Sequence, residues 1–208
     1  MKVPQQDSPE SPSRIPPQRR MIRAGLVLAA GRSSRFGPEN KLLHPFRGRP
    51  LAAHAAASMR AADLDRRIAV VCDDRVAELF DGFEIVRLAA GDAGQSDSLR
   101  AGVRHAVTLG AERLLVALAD MPHVPAALID RVVGACRADR PSATTDGRRR
   151  LPPACFPQAA FGALERLTGD RGAGALLRDL PPEALVVAGP EQLTDVDRQE
   201  DIAGADGA

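Results

Sequence analysis

Short apolar runs alternate along the chain with segments in which apolar residues recur three and four positions apart. The apolar runs predict buried strands, because runs of about four to eight apolar residues bounded by turn residues are typical of parallel sheets. These runs lie at 22–29, 67–72, 84–88, 113–119 and 184–188. The helical periodicity predicts helices at 50–60, 75–80, 96–109, 125–137, 158–167 and 172–180, with a closing helical turn at 198–203. Proline and glycine interrupt residues 140–153, where no regular element is predicted.

Strands that alternate with helices indicate βαβ units. They predict an α/β fold, a three-layer, doubly wound, Rossmann-like and mostly parallel sheet with helices on both faces. In such sheets ligands bind beyond the carboxyl ends of the strands. This rule points to the turn after Ala29 and to Asp120, because these residues end the first and fourth predicted strands.

The first twenty residues differ in composition from the rest of the chain. Residues 1–20 are rich in proline, serine, glutamine and arginine and contain few apolar residues, which predicts a disordered tail. Residues 21–208 are expected to form one domain, since the alternating pattern runs through them without a linker.

Composition and charge exclude several classes of function. The net charge of +1 and an aromatic content of 3% with no Trp or Tyr argue against nucleic-acid binding. No run of 18 apolar residues is present, so no membrane span is expected. The cysteines, Cys72, Cys136 and Cys155, have no metal-like spacing, and their sparse, odd number predicts free thiols and a cytoplasmic location. Of the 28 basic residues, only Lys2 and Lys41 are lysines.

The first predicted strand leads into LAAGRSSRFGPENKLL, residues 28–43. Small residues at Ala29, Ala30 and Gly31 would let a polyphosphate approach the backbone N–H groups. The side chains that offer donors to phosphate oxygens are Arg32, Ser33, Ser34, Arg35 and Lys41. The segment contains neither the P-loop pattern nor the Gly-rich dinucleotide fingerprint, so it indicates another kind of phosphate-binding loop.

Asp120 ends the strand in VALADMPHV, residues 116–124. A carboxylate at the ligand edge of the sheet is a suitable oxygen ligand for Mg²⁺. The same residue is also suited to cap a helix that starts after Pro125.

Two further blocks carry polar residues at element boundaries. In AGDAGQSDSLRAGV, residues 90–103, Ser96 or Asp97 is expected to cap the following helix. In LTDVDRQEDI, residues 193–202, the acidic residues either bind a metal or favour the start of a helix through its dipole.

The loop LAAGRSSRFG followed by KLL resembles the signature of the nucleotidyltransferases that include molybdenum-cofactor guanylyl- and cytidylyltransferases. It is also similar to the loop of methylerythritol-phosphate cytidylyltransferases, and the resemblance extends over about residues 22–203. It implies a sheet of the nucleotide-diphospho-sugar transferase type. It further implies that Arg35 and Lys41 are catalytic and hold the triphosphate. The implied nucleotide-binding residues of this loop are Leu28, Ala29, Ala30, Gly31, Arg32, Ser33 and Ser34.

The other blocks resemble the same family. The stretch GQSDSLRAG implies that Gln95, Ser96 and Ser98 contact the nucleoside. The family writes G-D-M-P where this chain has Ala119 followed by Asp120, which implies that Asp120 is catalytic and binds Mg²⁺. The late acidic segment implies a second metal-binding carboxylate, either Asp195 or Asp197, although Arg198-Gln199 replaces the usual Thr-Pro.

The segment 151–177 resembles the acceptor side of these transferases. Leu151-Pro152-Pro153 stands where cytidylyltransferases have G-H-P. Asp170 and Arg171 are expected either to position the acceptor or to cap the helix that follows.

Ala29-Ala30-Gly31 resembles the cytidylyl branch, where guanylyltransferases usually have Ala-Gly-Gly. The resemblance therefore implies transfer of CMP from CTP to molybdopterin with release of pyrophosphate, and a molybdenum hydroxylase apo-enzyme as a further partner. Three alternatives stay open: GTP as the nucleotide, a sugar or polyol phosphate as the acceptor, and a non-catalytic chaperone of molybdenum hydroxylases. The arginines Arg148, Arg149 and Arg150 are compatible with a phosphosugar acceptor.

Overall fold

The computed structural model describes residues 20–31, 36, 39–89, 94–169, 172–198 and 200–201. The strands are β1 (Arg23–Ala29), β2 (Pro45–Phe46), β3 (Arg49–Pro50), β4 (Arg66–Val71), β5 (Glu84–Arg87), β6 (Arg113–Leu118), β7 (Ser142–Thr145), β8 (Arg150–Pro157) and β9 (Leu185–Val187). The α-helices are α1 (Leu51–Ala61), α2 (Asp74–Ala77), α3 (Gln95–Thr108), α4 (Ala126–Ala135) and α5 (Phe161–Glu165). Short 3-10 turns lie at Lys41–Leu43, Glu78–Phe80, Gln158–Ala160, Ala173–Leu177, Pro182–Ala184 and Pro190–Leu193.

Seven of these strands form one sheet in the order β5-β4-β1-β6-β8-β7-β9. The central strand β1 pairs in parallel with β4 on one side and β6 on the other. Only β8 among the sheet strands described here runs against its two neighbours. The carboxyl ends of β1, β4 and β6 therefore meet at one edge of the sheet, which confirms the predicted mostly parallel α/β fold.

Each face of the sheet carries its own apolar core. One core packs α1 and α4 against inward residues of β1 and β6 such as Val27 and Leu115. The other packs α3 and α5 against the opposite face, where Leu26 and Leu114 are fully buried. This arrangement is the predicted three-layer one, and it follows from the alternation of side chains along each strand.

The segment 140–153, for which no element is predicted, contains β7 and the start of β8. The pattern of apolar residues does not reveal these strands, because β7 buries the polar residues Ser142, Thr144 and Thr145. The Thr144 hydroxyl donates to the carbonyls of Leu151 and Pro152, at 2.7 and 3.0 Å. The register between the strands shifts after Ala143, so that the prolines of β8 fall where the ladder is interrupted.

Toward the C-terminus, the elements are shorter than predicted. The predicted helix 158–167 is a 3-10 turn followed by α5, and the predicted helix 172–180 is the 3-10 turn Ala173–Leu177. Half of the predicted helical turn 198–203 lies outside the described residues, and residues 200–201 of the other half are helical. All of the predicted tail except Arg20 also lies outside them. None of the helices in the described parts of the chain is long and apolar enough to cross a lipid bilayer.

The contact between α3 and β1 generates a prediction about stability. A methyl group on Gly102 would lie 2.5 Å from both δ carbons of Leu26, which is fully buried. Gly102→Ala is expected to lower the free energy of unfolding by about 1–3 kcal/mol, because the overpacked core must shift. Urea unfolding measures this change.

Gly134→Ala is the matched control, since Gly134 lies in α4 with no atom within 4 Å of the added carbon. This variant is expected to be neutral or more stable by about 0.5–1 kcal/mol. Equal effects of the two substitutions would contradict close packing of α3 on β1.

Candidate active site

The loop after β1 begins at the carboxyl edge of the sheet. Ala29 and Ala30 are buried, whereas Gly31 is exposed, and no atom of the described residues lies within 4 Å of where its side chain would start. The backbone at Gly31 is therefore open to an approaching ligand. Arg32, Ser33, Ser34 and Arg35, predicted to contact the triphosphate, lie outside the described residues.

The turn that carries Lys41 is held by two side chains. Asn40 caps it, because its side-chain oxygen accepts from the N–H of Leu42 at 3.1 Å. The amide of Asn40 in turn donates to the carboxylate of Asp73 at 3.2 Å. Asp73 follows β4 and also accepts from Arg75, so the position of the Lys41 turn is tied to the edge of the sheet.

The ammonium group of Lys41 joins three distant parts of the chain. It donates to Asp120 Oδ2 at 2.7 Å, to the carbonyl of Val196 at 2.9 Å and to Asp197 Oδ1 at 3.2 Å. The side chains of Lys41 and Asp120 are 11% and 19% exposed, so this ion pair is largely withdrawn from water. The contacts bring together three of the predicted site residues, Lys41, Asp120 and Asp197.

Burial and charge act in opposite directions on this cluster. Burial alone would lower the pKa of Lys41, but Asp120 and Asp197 outweigh it, so the pKa is raised and the ammonium stays charged. Burial raises the pKa of Asp120 more than Lys41 lowers it, and the charge of Asp195 raises it further. The site thus holds a carboxylate that is poorly solvated and would gain from an additional cation.

The C-terminal segment docks directly beside Asp120. The N–H of Val196 donates to the Asp120 carbonyl at 2.9 Å, and the Val196 side chain is buried in the core that contains α1 and α4. Asp201 accepts from the N–H groups of Asp197 and Arg198, at 2.9 and 2.8 Å. Asp195 and Asp197 stand on either side of Val196, so both carboxylates lie at the same edge as Asp120. Asp195 is exposed and Asp197 is half-buried.

One oxygen of Asp120 is suited to a cation. Oδ2 is bound by Lys41, whereas Oδ1 is buried and has no hydrogen-bond partner among the residues that the structure describes. A buried carboxylate oxygen without a partner is costly, and a divalent cation would satisfy it. Among the described residues no three His, Cys, Asp or Glu side chains form a cluster that could hold a metal by themselves. Phosphate oxygens or water would therefore have to complete the coordination.

Asp120 has no capping role in this structure. The N-cap of α4 is Pro125, which leaves Asp120 outside the helix. Ala119, which stands where the family usually has glycine, is buried in the core, so its methyl group does not crowd the ligand edge.

The start of α3 differs from the predicted one. The helix begins at Gln95 with Gly94 as its N-cap, so the prediction that Ser96 or Asp97 is the cap is wrong. Asp97 acts from inside the first turn, where its carboxylate accepts from the N–H of Gly94 at 3.0 Å. The next turn must pack on the sheet, which explains why Ser96 and Ser98 are buried. The Ser96 hydroxyl has no hydrogen-bond partner.

A cavity of about 670 Å³ opens beside these residues at the carboxyl edge of the sheet. Leu28 of β1 and Gln95 of α3, both predicted nucleotide contacts, form part of its wall. Two arginines that the sequence analysis did not assign individually to a site, Arg150 and Arg178, also line it. No local motif marks Arg178, because only the folding of 172–178 over the sheet brings it there. Asp170 and Arg171 lie outside the described residues.

The buried ion pair generates a prediction about stability. Lys41→Met would leave the buried carboxyl group of Asp120 without its main partner, so the free energy of unfolding is expected to fall by about 3 kcal/mol. The double variant Lys41→Met/Asp120→Asn is expected to recover at least half of this loss, since the uncompensated charge is gone. Urea unfolding of both variants tests the coupling, and additive losses would contradict it.

Asp73 generates a prediction about pH. The side chain of Arg75 is the main reason why the pKa of Asp73 falls from 3.8 to about 2. A depressed carboxyl pKa contributes stability that is present above about pH 4 and is lost as the pH falls toward 2. Asp73→Asn is therefore expected to be less stable than the wild type by about 1 kcal/mol at pH 6. The difference should narrow below pH 4, and a gap that is constant with pH would exclude the carboxylate as its cause.

Residues 25–193 match the model of the MobA-like NTP transferase domain. Molybdenum cofactor guanylyltransferase from Cupriavidus pinatubonensis is 33% identical over 138 residues, which are 62% of this chain and 66% of that protein. Purine catabolism protein PucB from Bacillus subtilis is 26% identical over 165 residues, 74% of this chain and 80% of that protein. The chain spans only 30% of the bifunctional enzyme IspD/IspF of Erythrobacter litoralis, to which it is 32% identical over 114 residues that make up 53% of this chain.

Solved structures show the same architecture. Rv0371c from Mycobacterium tuberculosis superposes with a TM-score of 0.77 at 27% identity, over 91% of this chain and 100% of that one. The structure of Rv0371c in complex with manganese gives a TM-score of 0.75 at 26% identity, with the same coverage. The family model covers all of the sheet except the first two residues of β1 and includes Lys41 and Asp120, but it ends before Val196 and Asp197. The chain belongs to the MobA-like NTP transferase family and is a nucleotidyltransferase.

Proposed function

We propose that this nucleotidyltransferase moves CMP from CTP to molybdopterin and releases pyrophosphate. The observation that carries the proposal is the Lys41–Asp120 pair at the carboxyl edge of the sheet, where one Asp120 oxygen is buried without a partner. A fixed ammonium beside a carboxylate that needs a cation suits a substrate that brings both phosphates and a divalent metal ion.

The reaction forms a bond between an acceptor phosphate oxygen and the α-phosphorus of the nucleotide. It breaks the bond from that phosphorus to the bridging oxygen of the departing pyrophosphate. A phosphate monoester has a second pKa of about 6, so the nucleophile is already an anion at neutral pH and needs no general base. The work left to the protein is to position two anionic substrates and to offset their charge.

Each residue of the site has a separate task in this proposal. Lys41 and Arg35 hold the triphosphate and stabilise the negative charge that develops on pyrophosphate. Asp120, with Asp195 or Asp197 as a second carboxylate, holds Mg²⁺. When bound, the metal supplies positive charge beside the α-phosphate. The open backbone at Gly31 leaves room for the phosphates, and Gln95, Ser96 and Ser98 lie on the nucleoside side.

The choice of CTP rests on the loop after β1. Ala30 is buried, and its methyl group occupies the position where guanylyltransferases usually carry glycine. The preference for CTP therefore rests on the resemblance of Ala29-Ala30-Gly31 to the cytidylyl branch, since the Ala30 side chain packs in the core that contains α3 and α5. The 33% identity to molybdenum cofactor guanylyltransferase makes GTP the second candidate nucleotide, and a direct comparison of nucleotides decides between them.

The proposal also includes the location of the enzyme and its protein partner. The described cysteines are free thiols, in keeping with a cytoplasmic location where NTPs are available. A molybdenum hydroxylase apo-enzyme is the proposed recipient of the finished cofactor. Nucleic acid and membranes are not proposed as partners.

Pyrophosphate release from the full chain tests the function. The assay compares CTP, GTP, ATP and UTP, with and without Mg²⁺ and Mo-molybdopterin. Release is expected with CTP only when both metal and pterin are present, and release with GTP would reverse the base assignment. Lys41→Ala and Asp120→Asn are each expected to lower turnover by about 10²–10³-fold.

Arg66→Gln is the control for these variants. Arg66 is exposed at the amino end of β4, at the opposite edge of the sheet, and its variant is expected to turn over normally. Circular dichroism at the assay temperature shows whether each variant is folded. Near-normal turnover by folded Lys41→Ala would overturn the proposed role of Lys41.

A further inference from the structure

The cavity beside the site extends away from the residues assigned to the nucleotide. Only its border at Leu28 and Gln95 belongs to the nucleotide side. Apart from Leu99 of α3, the rest of its wall comes from β6, β8 and residues 172–178, none of which carries a nucleotide-binding prediction. Leu118 of the wall lies two residues before Asp120, so the cavity opens next to the reacting phosphate. This placement suits the second substrate.

The wall of the cavity is apolar except at three residues. Its apolar members are Leu28, Leu99, Val116, Leu118, Pro152, Ala154, Ala173, Ala175 and Leu177. The polar side chains are Gln95, Arg150 and Arg178, and no Asp or Glu is among the described lining residues. The side chain of Gln95 lies against Gly172. A Cβ atom on residue 172 would come within 2.8 Å of the side-chain oxygen of Gln95. The glycine therefore allows the close contact that shuts this side of the cavity.

The two arginines lie on the same stretch of its rim. Arg150 donates to the carbonyl of Leu180 at 3.3 Å, which brings its guanidinium to the turn that carries Arg178. That turn is closed by the N–H of Leu180, which donates to Leu177 at 3.3 Å. Arg178 is exposed and has no hydrogen bond or ion pair to any part of the chain that the structure describes. Asp179 follows Arg178 in the chain, but neither arginine forms an ion pair with a carboxylate of the described residues, so both guanidinium groups are suited to an anion.

We infer that Arg150 and Arg178 bind the phosphate of the acceptor, and that the apolar wall selects acceptors with a flat or weakly hydrated body. This inference rests on the proposed nucleotidyl transfer. A ring system buries its faces against Leu28, Val116 and Leu118 at little cost. A polyol phosphate would lose the hydration of several hydroxyl groups to a wall with one uncharged polar side chain, and each unsatisfied group is unfavourable. The cavity thus favours a phosphorylated heterocycle over a phosphosugar.

Kinetics on variants of the two arginines test the inference in the full chain. Arg178→Gln and Arg150→Gln are each expected to raise the KM for molybdopterin about tenfold, because a charge-assisted hydrogen bond is lost. The KM for CTP should not change, since the nucleotide contacts are elsewhere. Arg178→Lys is expected to restore part of the loss, and Arg66→Gln should behave as the wild type.

A second measurement does not depend on turnover. Phenyl phosphate and glycerol 3-phosphate are titrated into the wild type and the variants by ligand-observed NMR. The wild type is expected to bind phenyl phosphate more tightly, and Arg178→Gln should weaken that binding about tenfold. Ala175→Glu, an added carboxylate at an exposed position of the rim, should weaken it as well.

The outcomes separate this inference from the proposed function. Arginine variants that bind phenyl phosphate and molybdopterin as well as Arg66→Gln does would overturn the inference even if CMP transfer occurs. Tighter binding of glycerol 3-phosphate would overturn the selectivity for an apolar body. If molybdopterin is not an acceptor but phenyl phosphate binding depends on Arg178, the proposed function fails while the assignment of the cavity stands.

Discussion

The ammonium group of Lys41 is the point through which the carboxyl edge of the sheet is organised. It binds residues from the end of β6 and from the C-terminal segment, which lie far apart in the sequence. A buried charge is stable only when its partners are in place, so each contact constrains the other two. The turn at Lys41 is fixed in addition through Asn40 and Asp73. The position of Asp120 relative to the loop after β1 therefore depends on this one cation.

The charge balance of this cluster defines what it can bind. The Lys41 ammonium contacts the carboxylates of Asp120 and Asp197, and the charge of Asp195 also acts on Asp120, so the described part of the site is acidic by itself. An acidic cluster repels a triphosphate unless further cations accompany it. The negative charge of the nucleotide must consequently be offset by a divalent ion, by basic side chains of the loop, or by both. In the proposed function, Mg²⁺ and the predicted phosphate contacts Arg32 and Arg35 supply these cations.

The sequence predicts the parts of this architecture whose patterns are local. Strands β1, β4 and β6 and helices α1, α3 and α4 have clear periodicity, and their ends are correct to within one or two residues. The ion pair between Lys41 and Asp120 spans 79 positions, so no spacing rule reveals it. Strand β7 is not predicted, because its buried residues carry hydroxyl groups and the segment lacks an apolar pattern. Helix α3 begins one residue earlier than predicted, because Asp97 caps it from inside the first turn. The placement of Arg150 and Arg178 at one cavity becomes visible only when β8 and the turn 173–177 are folded together.

The residues around the Lys41 cluster and the residues that line the cavity belong to different cores of the sheet. Leu42, Ala119 and Val196, which flank the Lys41 cluster, belong to the core that holds α1 and α4. Leu99, Val116, Ala154 and Leu177, which line the cavity, belong to the core that holds α3 and α5. Substitutions in the cavity wall therefore need not disturb the ion pair on the other side, because the strands lie between them. If the cavity holds the acceptor as proposed, its wall can change without disturbing the ion pair, because the two sets of side chains pack in different cores.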